Sequence, residues 1–240
     1  MLYFNLVNEM YLIEKSVNKL YKFGYTFFLN PKDLKEITNH LKKNSFNIYK
    51  PYNYSEKNII YIDKMPELIL FEIKTFSNLR HQDILGSLFA LKIDDGLFGD
   101  IIIINNHYYF YTFKNLQTFF ESEFTKVGKS NIELLEKNLD FLNDYEPQYE
   151  EIKIITSSLR IDSVIAKLIH TNRDQIKELI KDKAIIYNYE ALKNGAKFLK
   201  ENDTFSVKKY GKYKFDSIIA NTKKDNLIIK ILKYDNKNML

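Results

Sequence analysis

The chain has 240 residues, 45% apolar and 28% charged, which excludes a disordered chain and leaves room for more than one core. It has no cysteine; this excludes disulfides, thiolate metal sites and a cysteine nucleophile, and fits a reducing, cytoplasmic setting. The net charge of +5 is lopsided: residues 1–151 hold 17 basic and 21 acidic side chains, a net of −4, whereas residues 152–240 hold 19 and 10, a net of +9.

A basic module beside an acidic one is the electrostatic footprint of a nucleic-acid-binding tail. Only three of the basic residues are arginine (Arg80, Arg160, Arg173) and the chain holds 24 asparagines, so a compositional bias toward Lys and Asn contributes. Bias alone would enrich lysine everywhere and does not explain the acidic front.

The opening stretch, Met1 to Glu14, lacks a basic n-region and a cleavable apolar run, and nowhere do eighteen apolar residues run uninterrupted; neither secretion nor membrane spanning is expected. Val7, Met10, Tyr11, Ile13, Val17, Leu20 and Tyr21 fall at helical spacing up to Gly24. After the apolar run Tyr25 to Leu29, Asn30 caps a second helix with Pro31 at its first position and Leu34, Ile37 and Leu41 inward. Phe46 to Tyr49 and Asn58 to Ile62 read as strands around a Pro51 to Ser55 turn. We expect a small N-terminal α/β module over 1–66.

The middle stretch, 67–156, shows a strand (Glu67 to Lys74), a helix (Gln82 to Ile93), a buried strand (Asp100 to Ile104), an Asn105-Asn106 hairpin turn, its partner His107 to Thr112, and a helix (Leu116 to Val127). With Glu150 to Thr156 as the last strand, the order β-α-β-β-α-β predicts a ferredoxin-like (split βαβ) domain. The weak helical pattern in 133–147 marks a candidate linker. His107, Tyr108, Tyr109, Phe110 and Tyr111 place aromatics on alternate faces, one for the core and one offered to stacking bases, although the basic, glycine-rich strand that usually accompanies base stacking is absent.

The last stretch, 157–240, is the basic one. Ser157 or Ser158 is expected to cap a helix with Ile161, Val164, Ile165, Leu168 and Ile169 inward and Arg160, Ser163 and Lys167 outward. Asn172, with Gln175 three residues on, opens a second helix with Lys177 and Lys181 outward. Arg173 then falls in a first turn, where a cation opposes the helix dipole, and an external phosphate would explain it. On dipole grounds Arg173→Glu leaves folding stability unchanged or slightly raised. Strands follow over Ala184 to Tyr187, Thr204 to Lys208, Lys214 to Ala220 and Asn226 to Leu232. The whole is an α+β chain of three small modules, the last an αL-type unit of two helices and a small antiparallel sheet.

Ser158-Leu159-Arg160-Ile161-Asp162, Asn172-Arg173, Leu179-Ile180-Lys181, Ile185 to Asn188 and Asn202-Asp203 resemble the RNA-binding domain first seen in ribosomal protein S-four. Arg80-His81-Gln82-Asp83-Ile84-Leu85-Gly86 and Phe98-Gly99-Asp100-Ile101 resemble the middle segment of YlmH-type proteins, in which that basic domain is C-terminal. The resemblance covers roughly 67–235. It implies a ribosome-associated RNA-binding factor acting on ribosomal RNA of the large subunit and on tRNA, peptidyl-tRNA above all, during rescue of stalled chains. It departs from the family at Lys183 and Tyr189, where glycines are usual, and at Asn172, where serine is.

Enzyme signatures are missing. Seven glycines form no phosphate loop, dinucleotide fingerprint or nucleophile elbow. His40, His81, His107 and His170 lack metal-ligand spacing, and Asp94, Asp95 and Asp100 read as acidic turn chemistry. Arg160-Ile161-Asp162 resembles the tripeptide around the catalytic aspartate of pseudouridine synthases, but no room for their catalytic domain surrounds it. The expectation is a non-enzymatic protein without cofactor or metal, with no membrane partner and monomeric when free. Arg160, Lys167, Asn172, Arg173, Lys177, Lys181, Lys183, Lys208 and Lys212 are its candidate RNA contacts, with Arg80 as an additional one. The competing expectations are a protein-binding adaptor localised by its basic tail and an RNA-modifying enzyme with an unrecognised site in the middle module.

Overall fold

The computed structural model describes residues 2–41 and 45–234, with side chains described from Ile13 onward. It is α+β, and it divides into two compact units, one ending at Glu146 and the other starting at Pro147. Among the described residues no helix is long and apolar enough to cross a membrane.

The first unit opens with α1 (Leu2–Phe23), which Gly24 ends at φ +82° while its N–H donates to Leu20 O at 2.8 Å. The expected inward positions Val7, Met10 and Tyr11 lie outside the described side chains; Val17 and Leu20 are buried as expected. In α2 (Pro31–His40) the Asn30 side chain accepts from Asp33 N–H at 3.0 Å. β1 (Asn47–Tyr49) and β2 (Ile59–Tyr61) pair antiparallel.

Next come β3 (Leu68–Lys74), α3 (His81–Ala90), β4 (Phe98–Ile104), β5 (His107–Phe113), α4 (Gln117–Glu123), β6 (Lys126–Val127), β7 (Ser130–Asn131) and β8 (Glu133–Lys137). Asn105 and Asn106 turn at φ +50° and +63°, the tight two-residue hairpin expected of them. The antiparallel sheet runs β4-β5-β3-β8, the strand order a split βαβ chain produces. Its fourth strand, however, is β8 and not 150–156. The leucines taken for a weak helix divide between this strand, with Leu134 against the core, and a 3-10 turn (Leu139–Leu142) that buries Leu142. The expected linker is therefore structured. The helix expected over 116–127 is also shorter, because Gly128 at φ +58° turns the chain into the β6–β7 hairpin.

The N-terminal segments and this sheet share one core. α3 and α4 cover the face that carries Phe71, Tyr108 and Phe110, whereas Phe28, Tyr52, Ile59 and Leu142 cover the face of Leu70, Tyr109 and Tyr111. Asp100 fastens the 52–57 loop to the sheet, accepting from Glu56 N–H (2.8 Å), Tyr52 OH (3.1 Å) and Ser55 OH (3.2 Å). Asp95 pairs with Lys57 at 2.8 Å and Asp94 pairs with Lys15, so the three aspartates are held as turn and loop anchors. A separate 1–66 module is thus corrected: its apolar residues are the second cover of the sheet.

The second unit holds β9 (Tyr149–Thr156), α5 (Ile161–Leu168), α6 (Arg173–Lys181), β10 (Ile185–Tyr187), β11 (Glu190–Ala191), β12 (Thr204–Val207), β13 (Gly211–Asn221) and β14 (Leu227–Tyr234). Its antiparallel sheet runs β11-β10-β12-β13-β14-β9. β9 belongs here because Ile152 and Ile154 pack into this core, and because Glu150 and Glu151 meet Lys233 (3.1 Å) and Lys230 (3.7 Å) on β14. The two helices cover one face, burying Val164, Ile165 and Ile176 over Phe205, Phe215, Ile229 and Ile231. Among the described residues no helix of this unit covers the other face.

Candidate nucleic-acid interface

The starts of α5 and α6 meet in a polar network. Ser158 does not cap α5: its hydroxyl accepts from Arg160 N–H at 3.2 Å, two residues too early, and Arg160 is the N-cap residue. The first N–H groups of α5 go instead to backbone carbonyls, Ile161 to Lys197 (2.8 Å) and Asp162 to Gly195 (3.1 Å). Gly195 permits that approach, since a Cβ there would lie 2.9 Å from Asp162 Cβ and 3.0 Å from Ile180 Cδ1.

Asp162 is the centre of the network. Arg160 grips it through Nη2 (2.6 Å) and Nε (3.2 Å), and Ser163 N–H donates to it at 2.7 Å. Burial pushes its carboxyl up, but these donors and the nearby Arg173 charge outweigh that and hold it below the usual range. A carboxylate so engaged anchors the helix start.

Arg173 has an internal partner. Its Nη2 donates to Ser163 Oγ at 2.6 Å, bridging α6 to α5. The cation in the first turn is thereby explained by Ser163 and Asp162, and an external phosphate is not needed to account for it. Asn172 caps α6 as expected, accepting from Gln175 N–H at 2.9 Å, while the Gln175 side chain turns to the Thr171 hydroxyl.

Arg173, Lys177 and Lys181 run along α6 four residues apart, and all are exposed. The face is mixed, since Asp174 takes Lys177 at 2.8 Å and Glu178 and Asp182 alternate with the lysines. Lys167 lies exposed in the last turn of α5.

A lysine-rich corner forms where α6 ends. Lys183 takes φ +54° without glycine, its N–H donates to Ile180 O at 3.0 Å, and Lys208 N–H donates to Ala184 O at 2.9 Å. Lys181, Lys183 and Lys208 therefore converge, and Lys209, absent from the expected set, adjoins them at φ +73°. The left-handed turn is kept rather than reshaped, at a cost of roughly 1 kcal/mol for a non-glycine residue. Asn188 and Tyr189, at φ +46° and +69°, likewise form a two-residue turn between β10 and β11.

Lys212 stands apart, its Nζ 4.8 Å from the Tyr234 ring and 5.6 Å from that of Tyr189. With Lys214, Lys230 and Lys153 it shares the sheet face opposite the helices, where Lys230 pairs with Asp216 at 3.0 Å. Lys153, Lys214 and Lys230 were missed; the signal was the alternation Lys212-Tyr213-Lys214-Phe215, in which the aromatics take the core.

In the first unit the expected stacking surface is closed. Tyr109 is 5% and Tyr111 0% exposed, because the second cover lies on them. At the rim of that face Glu72, its side chain 2% exposed, meets His107 Nδ1 at 2.8 Å, Lys137 at 2.9 Å and Lys74 at 3.1 Å. Burial alone would raise this carboxyl; the three partners overcome it and hold it at about 2. Arg80 remains outside at 75% exposure, clamped by Asp83 through Nη2 (2.8 Å) and Nε (2.9 Å). Among the described residues no group of His, Asp or Glu has the arrangement of a metal site.

The fold and the matching sequence first define a class: an α+β chain whose residues 66–140 match the family model described as "Putative RNA-binding domain in YlmH". The chain is thus YlmH-like over the middle stretch. It is 25% identical over 168 residues to the ribosome-associated protein quality control protein P2 of Bacillus subtilis (strain 168), a match spanning 67% of this chain and 65% of that relative. It is also similar to the solved cell division protein YlmH from Streptococcus pneumoniae, with 21% identity and a TM-score of 0.45 over 57% of this chain and 93% of the other.

Proposed function

We propose that the chain is a non-enzymatic RNA-binding protein that works on the ribosome, with its basic second unit docking on structured ribosomal RNA of the large subunit. The observation that carries this is the corner at the end of α6, where exposed Lys181, Lys183, Lys208 and Lys209 gather and outnumber the one carboxylate among them, Asp182. Cations so placed neutralise phosphates, and phosphate contacts position a protein on RNA without reading sequence. The match of residues 66–140, in the first unit, to a model for an RNA-binding domain supports RNA as the ligand of the chain. Two helices on one face of an antiparallel sheet support an S-four-like module in the second unit.

The name of the Bacillus relative places it in ribosome-associated quality control. The match covers under two thirds of that relative, and its process comes to this chain as part of the proposal, with peptidyl-tRNA held on the large subunit as a second RNA it meets. The test is co-sedimentation of the purified chain with separated ribosomal subunits across a salt series. Retention on the large subunit, lost steeply as salt rises and lost at lower salt by Lys181→Glu and Lys183→Glu together, is the expected result. Equal retention on both subunits, or none, overturns it.

A further inference from the structure

We propose that the first unit binds unpaired RNA bases at one loop, with Phe76 as the stacking platform and the β6–β7 hairpin supplying charge. This rests on RNA being the ligand and names where the middle domain meets it. The sheet's two faces are both covered, one by α3 and α4 and the other by the N-terminal segments. Any ring this domain offers to a base must therefore come from a loop or an edge.

Phe76 is such a ring. It lies between β3 and α3 at 112% relative exposure, the most exposed of the large apolar side chains described. Its backbone is fixed on both sides. Thr75 OH donates to Asn131 O (3.3 Å), Ser77 N–H donates to Thr75 Oγ1 (3.2 Å), and Leu79 N–H donates to Tyr108 OH (2.7 Å). A ring carried on an anchored loop has its backbone placed before a base arrives, which lowers part of the entropy cost of stacking.

Cations lie on the elements that flank it. Ser77 and Ser130 join side chain to side chain at 2.8 Å, which brings the hairpin with exposed Lys126 and Lys129 beside the loop. Gly128 N–H, donating to Ser87 Oγ at 3.1 Å, ties the hairpin's tip to α3. Arg80, four residues beyond Phe76, keeps its outer guanidinium edge free of the Asp83 clamp. An exposed aromatic among exposed cations is the pairing that single-stranded nucleic acid needs, stacking for the base and charge for the phosphate.

The experiment uses the full chain and two RNA probes of equal charge, a hairpin with an eight-nucleotide unpaired loop and a blunt duplex. Phe76→Ala should weaken binding to the looped probe by about 5- to 100-fold, leave the duplex unaffected, and keep the melting temperature. Phe76→Trp should restore the looped probe, and Lys129→Glu should flatten the salt dependence by about one unit at most. Photocrosslinking with 4-thiouridine in the loop should label the peptide containing Phe76. If wild type and Phe76→Ala bind both probes alike while Lys181→Glu/Lys183→Glu abolishes binding, the RNA function stands and this site is overturned. If wild type binds neither probe, both fall. If Phe76 crosslinks in cells only to protein, the loop is a protein contact and the proposal is wrong.

Discussion

The two units use their sheets in opposite ways. In the first, aromatic side chains alternate so that Phe71, Tyr108 and Phe110 face the helices while Tyr109, Tyr111 and Phe113 face the N-terminal segments, and no sheet face is left for a ligand. In the second, Tyr213, Phe215, Ile229 and Ile231 take one face, and the other carries Lys153, Lys212, Lys214 and Lys230 together with Glu151, Asp216 and the exposed Ile155. A sheet sealed on both sides can recognise only through its loops. One covered by helices on a single side keeps a mixed, lysine-bearing second face, and under the proposals above phosphate attraction belongs to the second unit and base contact to the first.

The boundary between the units gives the largest effect. A fragment starting at Pro147 keeps β9 on β14, with its eight paired positions and its ion pairs to Lys230 and Lys233. A fragment starting at Ser157 strips that edge and uncovers Ile229 and Ile231. We expect the first to melt cooperatively and the second to melt at least 10 °C lower or aggregate, as read by circular dichroism; equal melting would place the boundary at 157 after all.

Charge gives the next. Residues 147–240 carry 19 basic and 12 acidic side chains, a net of +7, and residues 1–146 carry 17 and 19, a net of −2. In gel-shift titrations the Pro147 fragment should bind structured RNA with a steep salt dependence, and the front fragment weakly, with a shallow one. Equal affinities would dissolve the contrast between the units.

Acid should act on the first unit through Glu72. Its folded pKa lies below that of the unfolded chain, so its contribution is complete above about pH 4.3 and is lost as pH falls toward 2. Glu72→Gln should cost about 2 kcal/mol at pH 7 and remove part of the unfolding seen between pH 5 and 2. A variant as stable as wild type at pH 7 would show that Lys137, His107 and Lys74 gain nothing from this carboxylate.

Local chemistry was legible where it was self-contained. The Asn30 and Asn172 caps, the Asn105-Asn106 turn and the alternating strand after His107 follow from neighbours in sequence. What could not be read was decided by distant partners. Residues 149–156 suit either sheet by alternation, and Lys230 and Lys233 decide between them. The leucines of 133–142 satisfy a helical spacing and a strand followed by a turn, and the open edge of β3 selects the strand. Tyr109 and Tyr111 look available until Phe28, Tyr52 and Leu142 arrive from either end of the unit. Lys177 and Lys181 are exposed on α6, as their spacing predicts, but the gathering of lysines at the end of that helix depends on Lys208 returning after β12.

Arg173 isolates a smaller effect with an opposite sign for each account of it. As a lone first-turn cation it opposes the dipole, and Arg173→Glu would gain a few tenths of a kcal/mol. In the structure its Nη2 donates to Ser163 Oγ at 2.6 Å and its charge helps to depress Asp162. The substitution therefore deletes a hydrogen bond worth about 1 kcal/mol and sets a second carboxylate near Asp162, which outweighs the dipole gain. We expect a net loss of about 1 kcal/mol by urea unfolding of the Pro147 fragment. A cycle with Ser163→Ala should show coupling of at least about 0.5 kcal/mol between the two positions. Additive effects would mean the bridge contributes nothing. The same variant tests for a phosphate: a salt slope smaller by about one unit shows that the exposed part of Arg173 also meets RNA, and an unchanged slope makes it a residue that joins α5 to α6 and does nothing more.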